Sequence, residues 1–381
     1  MDFELGTDQQ AFVKAVGAFA RDRLSKGALD RAHDPGYPWA VAQLLAQQGL
    51  LGLTIPVEHG GQGASLLDTV LAIEQVAASC PKSADIVQAG NFGAVRTFAE
   101  YAAPELRDRY LPDFLAGTGL LALGMTEPEA GSAVTDLRTS AASVEGGFAI
   151  DGTKVFATNS ADATAFLVYV RFGPGTDGIG SVLIERGTPG FTIGKPSEFM
   201  SGEQWCQLYF EDCRIPRDNV VLGPGGFRKQ MSSFNVERIG NAARSLALGR
   251  LAFTIARDYA LDRRQFGRPL AEFQGIQWKF ADMITQLDAA QLLLYRAASR
   301  ADGGIPSAHD TAAAKLACNL AGYRAADESL QTMGALGFTR DTLVEYCLRR
   351  TRGWMIAGGS LEMLRNRLAE SVFDRRFDQR A

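Results

Sequence analysis

The stretch GFAIDGTKVFATN at 147–159 decides the architecture, because it reads as a strand while long helical patterns lie on both sides of it. Alternation points Val155 and Ala157 to one face of that strand and Phe156 and Thr158 to the other. Around it lie further short β-rich runs: AFLVYVRF (165–172), IGSVLIE (179–185), FTIGK (191–195), CQLYFEDCRIP (206–216) and NVVLG (219–223). Gly, Pro and Asp turns separate them about every 10–15 residues, which predicts a small antiparallel barrel or sandwich.

Outward from this block the period changes. Toward the N-terminus, Thr7 followed by Gln10 predicts a capping-box start, and Phe12, Val16, Phe19 and Leu24 recur at helical spacing. Helical patterns return at 39–52, 66–79 and near 91–116, and TIPVEHGGQGAS (54–65) breaks them as a loop. From GPGGFRKQ (223–230) onward the helical period holds almost to the end. The expected helices are 227–259, 272–301, 308–335, 341–352 and 360–375, and the Ala-rich third suits close packing in a bundle. The order is α, β, α, with boundaries at 1–120, 121–226 and 227–381.

Composition narrows the function. The 381 residues are 46% apolar and 22% charged with a net charge of −4, an ordinary globular balance. No basic stripe is present to neutralise phosphates, so nucleic acid is not an expected partner. Five scattered cysteines without CxxC spacing read as buried thiols of a reducing compartment. The acidic N-terminus lacks the apolar core of a signal peptide, no run is long enough to span a membrane, and a cytoplasmic protein is expected. Three dispersed histidines make a metal site an unpromising reading. Walker, GxSxG and post-strand GxGxxG motifs are absent.

Four stretches carry candidate chemistry. GMTEPEAGSAVTD (124–136) offers open backbone amides and the hydroxyls of Thr126 and Ser132 to a pyrophosphate or ring edge, although a plain surface turn uses the same residues. Phe156 and Thr158 could cover a planar ring and bond its rim, or form an ordinary cross-strand pair. DRRQFGRPLAEFQ (262–274) clusters Arg263, Arg264 and Arg268 around a Gly-Arg-Pro break, as a phosphate site or a solvated turn would. QTMGALGF (331–338) places glycines at a helix end.

Taken in order, these stretches resemble the acyl-CoA dehydrogenase family over essentially the whole chain. GMTEPEAGSAVTD resembles its TEP-x-AGSD loop, and KVFATNS its K-x-W-I-T-N-G strand. DRRQFGRPLAEFQ is similar to ER-x-x-FG…FQ, and QTMGALGF to Q-x-x-GG-x-G. RTRGWMIAGGSLEMLRN resembles RD-x-x…I-Y-E-G-T-x-E-I-x-R-N. The resemblance implies an α+β fold with an N-terminal helical domain, a middle β-barrel and a C-terminal four-helix bundle. It further implies a homotetramer, or a homodimer, with FAD extended between barrel and bundle and reaching a neighbouring subunit. Leu123, Met125, Thr126 and Ser132 would then line flavin and pyrophosphate, and Phe156 and Thr158 would flank the ring. Arg263, Gln265, Phe266, Gln274, Gln331, Gly334 and Ala335 would hold the ADP half from the partner subunit, and Ser360 and Glu362 would meet the cofactor. Ser132, Asn235, Arg238, Gly358 and Gly359 would border the acyl-CoA substrate, and an electron-transferring flavoprotein would take the electrons.

The chain departs from the family where the base belongs. The family's usual glutamate lies in its YEGT motif, and the matching position here is Gly358 within AGGS. A subset of the family carries the base on a bundle helix before an Arg, and FNVERIGNAARSLALG (234–249) puts Glu237 there. A carboxylate among Phe234, Val236 and Ile239 needs a reason, and a salt bridge or an exposed helix face would also supply one. Phe156 keeps an aromatic surface but lacks the indole N–H of the family's Trp. Ala357 replaces a Tyr, which implies a roomier mouth for a branched, cyclic or aryl acyl group. Rival readings on the same scaffold are a desulfinase of sulfinated acyl-CoAs, an acyl-carrier-protein dehydrogenase and a flavin-binding protein without catalysis. Desulfinases also lack the YEGT glutamate and do not keep the helix glutamate, so Glu237 favours dehydrogenation.

Overall fold

In the computed structural model, which describes residues 4–301 and 303–377, the chain forms two compact units. One comprises Asp34–Ala64 and Ala89–Phe234, the other Met1–His33, Ser65–Gln88 and Asn235–Ala381.

The first of these contains a sheet of nine strands. Its longest members, Gly147–Thr158 and Gln204–Pro216, run antiparallel, and Ala165–Arg171 pairs antiparallel with Ile179–Glu185. The sheet is mixed and not purely antiparallel: Leu121–Gly124 lies parallel to Ala165–Arg171. Parallel neighbours need a crossover, and the loop 125–136 with the hairpin Ser140–Thr158 supplies it. Ile150, Phe166, Val168, Ile184, Leu208 and Phe210 fill one face of the sheet. Leu167 and Leu183 face the other way, onto Phe98 and Phe114 of helices Gly93–Tyr101 and Pro104–Ala116. The single helix expected near 91–116 is therefore two, because Pro104 forces Ala103 into an extended conformation.

The second unit is helical. Its long members are Phe227–Asp262, which begins in the sheet unit, then Gln274–Ser299 and Ala308–Met333, within two to three residues of expectation. Shorter helices Leu343–Trp354 and Leu361–Val372 follow. At the N-terminus the helix starts at Thr7 with Gly6 as its cap, and Gln9, not Gln10, bonds back to the cap amide. Gln10 instead donates to the Leu5 carbonyl. No helix among the described residues is long and apolar enough to cross a membrane.

The Ala-rich helix packs as its composition predicts. A Cβ added at Gly322 would lie 2.2 Å from the Ser245 carbonyl oxygen, so two backbones meet there without side chains between them. We expect Gly322→Ala to cost about 1–3 kcal/mol through overpacking. Gly275→Ala, on a helix position with open space, should be neutral or slightly stabilising. Thermal melts of the two variants check this, and equal Tm values would contradict the close crossing.

Candidate functional site

Two groups of candidate residues form, one within each unit. In the sheet unit, the loop 125–136 leaves its parent strand at Gly124 and is tied to the neighbouring strand: Val155 N donates to the Thr126 carbonyl at 2.8 Å. A buried ion pair that the sequence reading did not identify makes the stronger tie. Glu127 Oε1 accepts from Lys154 Nζ at 2.7 Å, with the side chains 5% and 0% exposed. The same carboxylate accepts the backbone amides of Arg138 (2.6 Å) and Thr139 (2.9 Å), and Lys154 also donates to the Met125 carbonyl. Burial raises the proton affinity of Glu127, but the Lys154 ammonium and those donors outweigh it and hold the carboxyl below its ordinary range. Burial pulls Lys154 down to about 8, against the opposing pull of Glu127.

This anchoring leaves the loop's far side unbonded. The amides of Gly131, Ser132 and Ala133 find no acceptor among the described residues, and Gly131 has open space where a Cβ would stand. Such a row of free N–H groups suits phosphate oxygens. Met125 and Thr126 are half-buried and Ser132 is exposed. Leu123 lines a small cavity with Thr97, Tyr169 and Phe234. On the adjacent strand, the register slips between Lys154 and Ala157, and Phe156 takes φ +58° there while remaining 54% exposed. A bulge re-aims side chains, and a strained, exposed aromatic is a mark of function. Thr158 is exposed and pairs with Trp205. Free amides, the hydroxyls of Thr126 and Ser132 and an exposed aromatic fit a dinucleotide carrying a flat ring.

In the helical unit, Glu237 is half-buried and accepts a hydrogen bond from Gln88 Nε2. Burial raises its proton affinity, and Arg244, Gln88 and Lys315 only partly offset this. Arg244 is itself held by Asp85 at 3.0 Å, which also receives Arg350 at 2.8 Å, and both guanidiniums lie 4.7 Å from the Trp354 ring. Arg238 donates to the Gly358 carbonyl (2.9 Å) and to Asn235 Oδ1 (2.9 Å). Lys315 donates to Gly359 O, Trp354 O and Asn319 Oδ1, and burial brings it down to about 7. Asn235, Glu237, Arg238, Gly358 and Gly359 thus share one polar neighbourhood, in which two cations hold the glycine loop. Gly358 and Gly359 have φ of +74° and +95°, so the loop's course depends on glycine.

The remaining candidates lie on the surface of this unit. Arg263, Gln265 and Phe266 belong to a small exposed ribbon, Arg264–Gln265 against Arg268–Pro269, with Phe266 95% exposed and at φ +51°. Gln274 opens the next helix. Gln331 lies in the last turn of Ala308–Met333, Gly334 caps it at φ +62°, and Ala335 follows, all exposed. Ser360 caps Leu361–Val372 by accepting from Met363 N. Glu362 is exposed, and its proton affinity falls through backbone and Ser360 hydrogen bonds.

Comparison with known proteins gives matches along the whole chain. The family described as acyl-CoA dehydrogenase matches with its N-terminal domain over residues 6–118, its middle domain over 122–213 and its C-terminal domain over 224–373. A 3-sulfinopropanoyl-CoA desulfinase of Paraburkholderia xenovorans (strain LB400) is 34% identical over 386 residues, covering 99% of each chain. The structure of butyryl-CoA dehydrogenase from Megasphaera elsdenii superposes with a TM-score of 0.91 at 30% identity, covering 98% of this chain and 100% of the other. An FAD complex of PigA superposes with a TM-score of 0.92 at 26% identity, over 98% of this chain and 99% of that one.

Proposed function

The chain belongs to the acyl-CoA dehydrogenase family, and from that premise we propose that it removes two hydrogens from adjacent carbons of an acyl-CoA thioester, with Glu237 as the base. FAD is the cofactor, and when bound it supplies the hydride acceptor for the β-carbon.

The observation that carries the reading is the raised proton affinity of Glu237, a half-buried carboxylate hydrogen-bonded by the Gln88 amide. An α-proton next to a thioester carbonyl is weakly acidic, so its base must hold a proton more tightly than a solvated carboxylate does. Gln88 holds the carboxyl by a hydrogen bond, while Arg244 and Lys315 partly offset the rise in its proton affinity. Arg238 and Lys315 hold the Gly358–Gly359 backbone in place where the family's usual glutamate would project. The free amides at 131–133 and the hydroxyls of Thr126 and Ser132 receive the pyrophosphate and ring edge, and Phe156 and Thr158 flank the ring. The exposed Phe266 ribbon and the Gln331–Ala335 turn reach the cofactor of a second subunit in a homotetramer or homodimer. An electron-transferring flavoprotein takes the electrons, and the small side chain of Ala357 admits a branched, cyclic or aryl acyl group.

The desulfinase reading has its own support, the 34% identity to a desulfinase together with Gly358 at the usual base position. Anaerobic titration of the purified yellow protein with straight, branched, cyclic and sulfinated acyl-CoAs separates the two. We expect bleaching of flavin absorbance by a branched or cyclic acyl-CoA. Sulfinate release from 3-sulfinopropanoyl-CoA without bleaching by any acyl-CoA would replace the dehydrogenase with the lyase, and a sharp preference for butyryl-CoA would overturn the roomy pocket.

A further inference from the structure

Phe156 occupies a costly position. A non-glycine residue at φ +58° persists only where neighbours over-determine it, and Phe156 has more than half its side chain in the open. The strand cannot supply the constraint, because the register slips at this residue. What touches the ring is a second aromatic, Trp205, whose centroid lies 4.7 Å away with the planes at 56°. Trp205 pairs with Thr158 across the strands, so its backbone is fixed beside the bulge and not in a loop. Behind it Phe199 stacks at 5.9 Å and 29°, and Phe199 also meets Phe156 at 6.3 Å. The three rings form one cluster beside the bulge.

We propose that Trp205, backed by Phe199, is a positioning residue that holds the Phe156 ring in its left-handed bulge so that the ring presents a fixed surface to the flavin. The assignment rests on Phe156 facing the flavin. The indole N–H that Phe156 lacks plays no part here; the contact is ring against ring, worth a modest factor in affinity. Without it the Phe156 side chain samples other rotamers, and the flavin meets a moving surface.

The test compares Trp205→Ala, Trp205→Phe and Phe156→Ala as holoproteins. Measured are the FAD dissociation constant, the visible circular dichroism of the bound flavin, Tm, and kcat and KM separately. Trp205→Ala should weaken FAD by about five- to tenfold and change the flavin dichroism, and Trp205→Phe should restore both. Unchanged FAD affinity and dichroism in Trp205→Ala would overturn the proposal, as would a Trp205→Phe protein as impaired as the alanine variant. If Phe156→Ala also leaves both readouts unchanged, the placement of Phe156 at the flavin is what fails. If Phe156→Ala weakens FAD and Trp205→Ala does not, only the role of Trp205 falls. Should Trp205→Ala not fold, Trp205→Leu keeps the bulk without the ring and gives the same reading.

Discussion

Glu237→Gln should leave a yellow, folded protein that no acyl-CoA can bleach, with turnover down on the order of 10^3-fold, within the range a positioned general base contributes. Gln has nearly the same shape and keeps its contact with Gln88, so FAD content should not change. The same variant carries a stability signature that a salt-bridged or exposed glutamate would not. Burial raises the folded-state proton affinity of Glu237 above its unfolded value. Its stability contribution is therefore fully present below the ordinary carboxylate range and is lost as pH rises through the raised value. Gln does not titrate, so the variant avoids that loss. Tm of Glu237→Gln minus Tm of the parent should grow as pH rises above the ordinary carboxylate range, and parent activity should rise with it as the base ionises. Wild-type bleaching rates in Glu237→Gln would end the assignment, and a flat Tm difference would show that the carboxyl is not desolvated.

The α, β, α order was legible because period-2 and period-3.6 patterns survive tertiary packing over long segments, as at 165–171 and 308–333. The periodicity runs 91–116 together and passes over Pro81–Ala89, although the prolines Pro104 and Pro81 that open helices there were legible. The partner of Glu237 was not, since Gln88 lies 149 positions away and nothing in either segment marks the other. Lys154 left a weaker trace. It shares parity with the buried Ile150, so an undisturbed strand points an ammonium inward, and an inward lysine demands a carboxylate. The bulge then reverses the parity, which is why Val155 is buried next to it and Phe156 points out. Alternation alone places Phe156 and Thr158 on one face correctly, but it shows neither the slip nor the Trp205 ring behind it.

Glu127→Gln should unfold the sheet unit at markedly lower temperature, by roughly 10 °C. The variant keeps an acceptor for Lys154 but removes the negative charge that faces a fully buried ammonium, and breaking such a pair from one side costs about 3–5 kcal/mol. Lys154→Met should do less damage, because Glu127 retains the amides of Arg138 and Thr139. The double variant should recover part of the loss, since it leaves no buried charge. The deficit also has a pH sign. Lys154 sits at about 8 in the folded state, below its unfolded value, so the burden of burying its charge is felt below that pH and relieved above it. The gap between Glu127→Gln and the parent should therefore be wide near pH 6 and narrow near pH 9. Because the pair ties the loop 125–136 to the strand bearing Phe156, FAD should leave the variant before the sheet melts. Parallel scans of flavin fluorescence and far-UV dichroism would separate the two events. A Glu127→Gln protein that melts with the parent, its flavin still bound, would show that the ion pair does not anchor the loop.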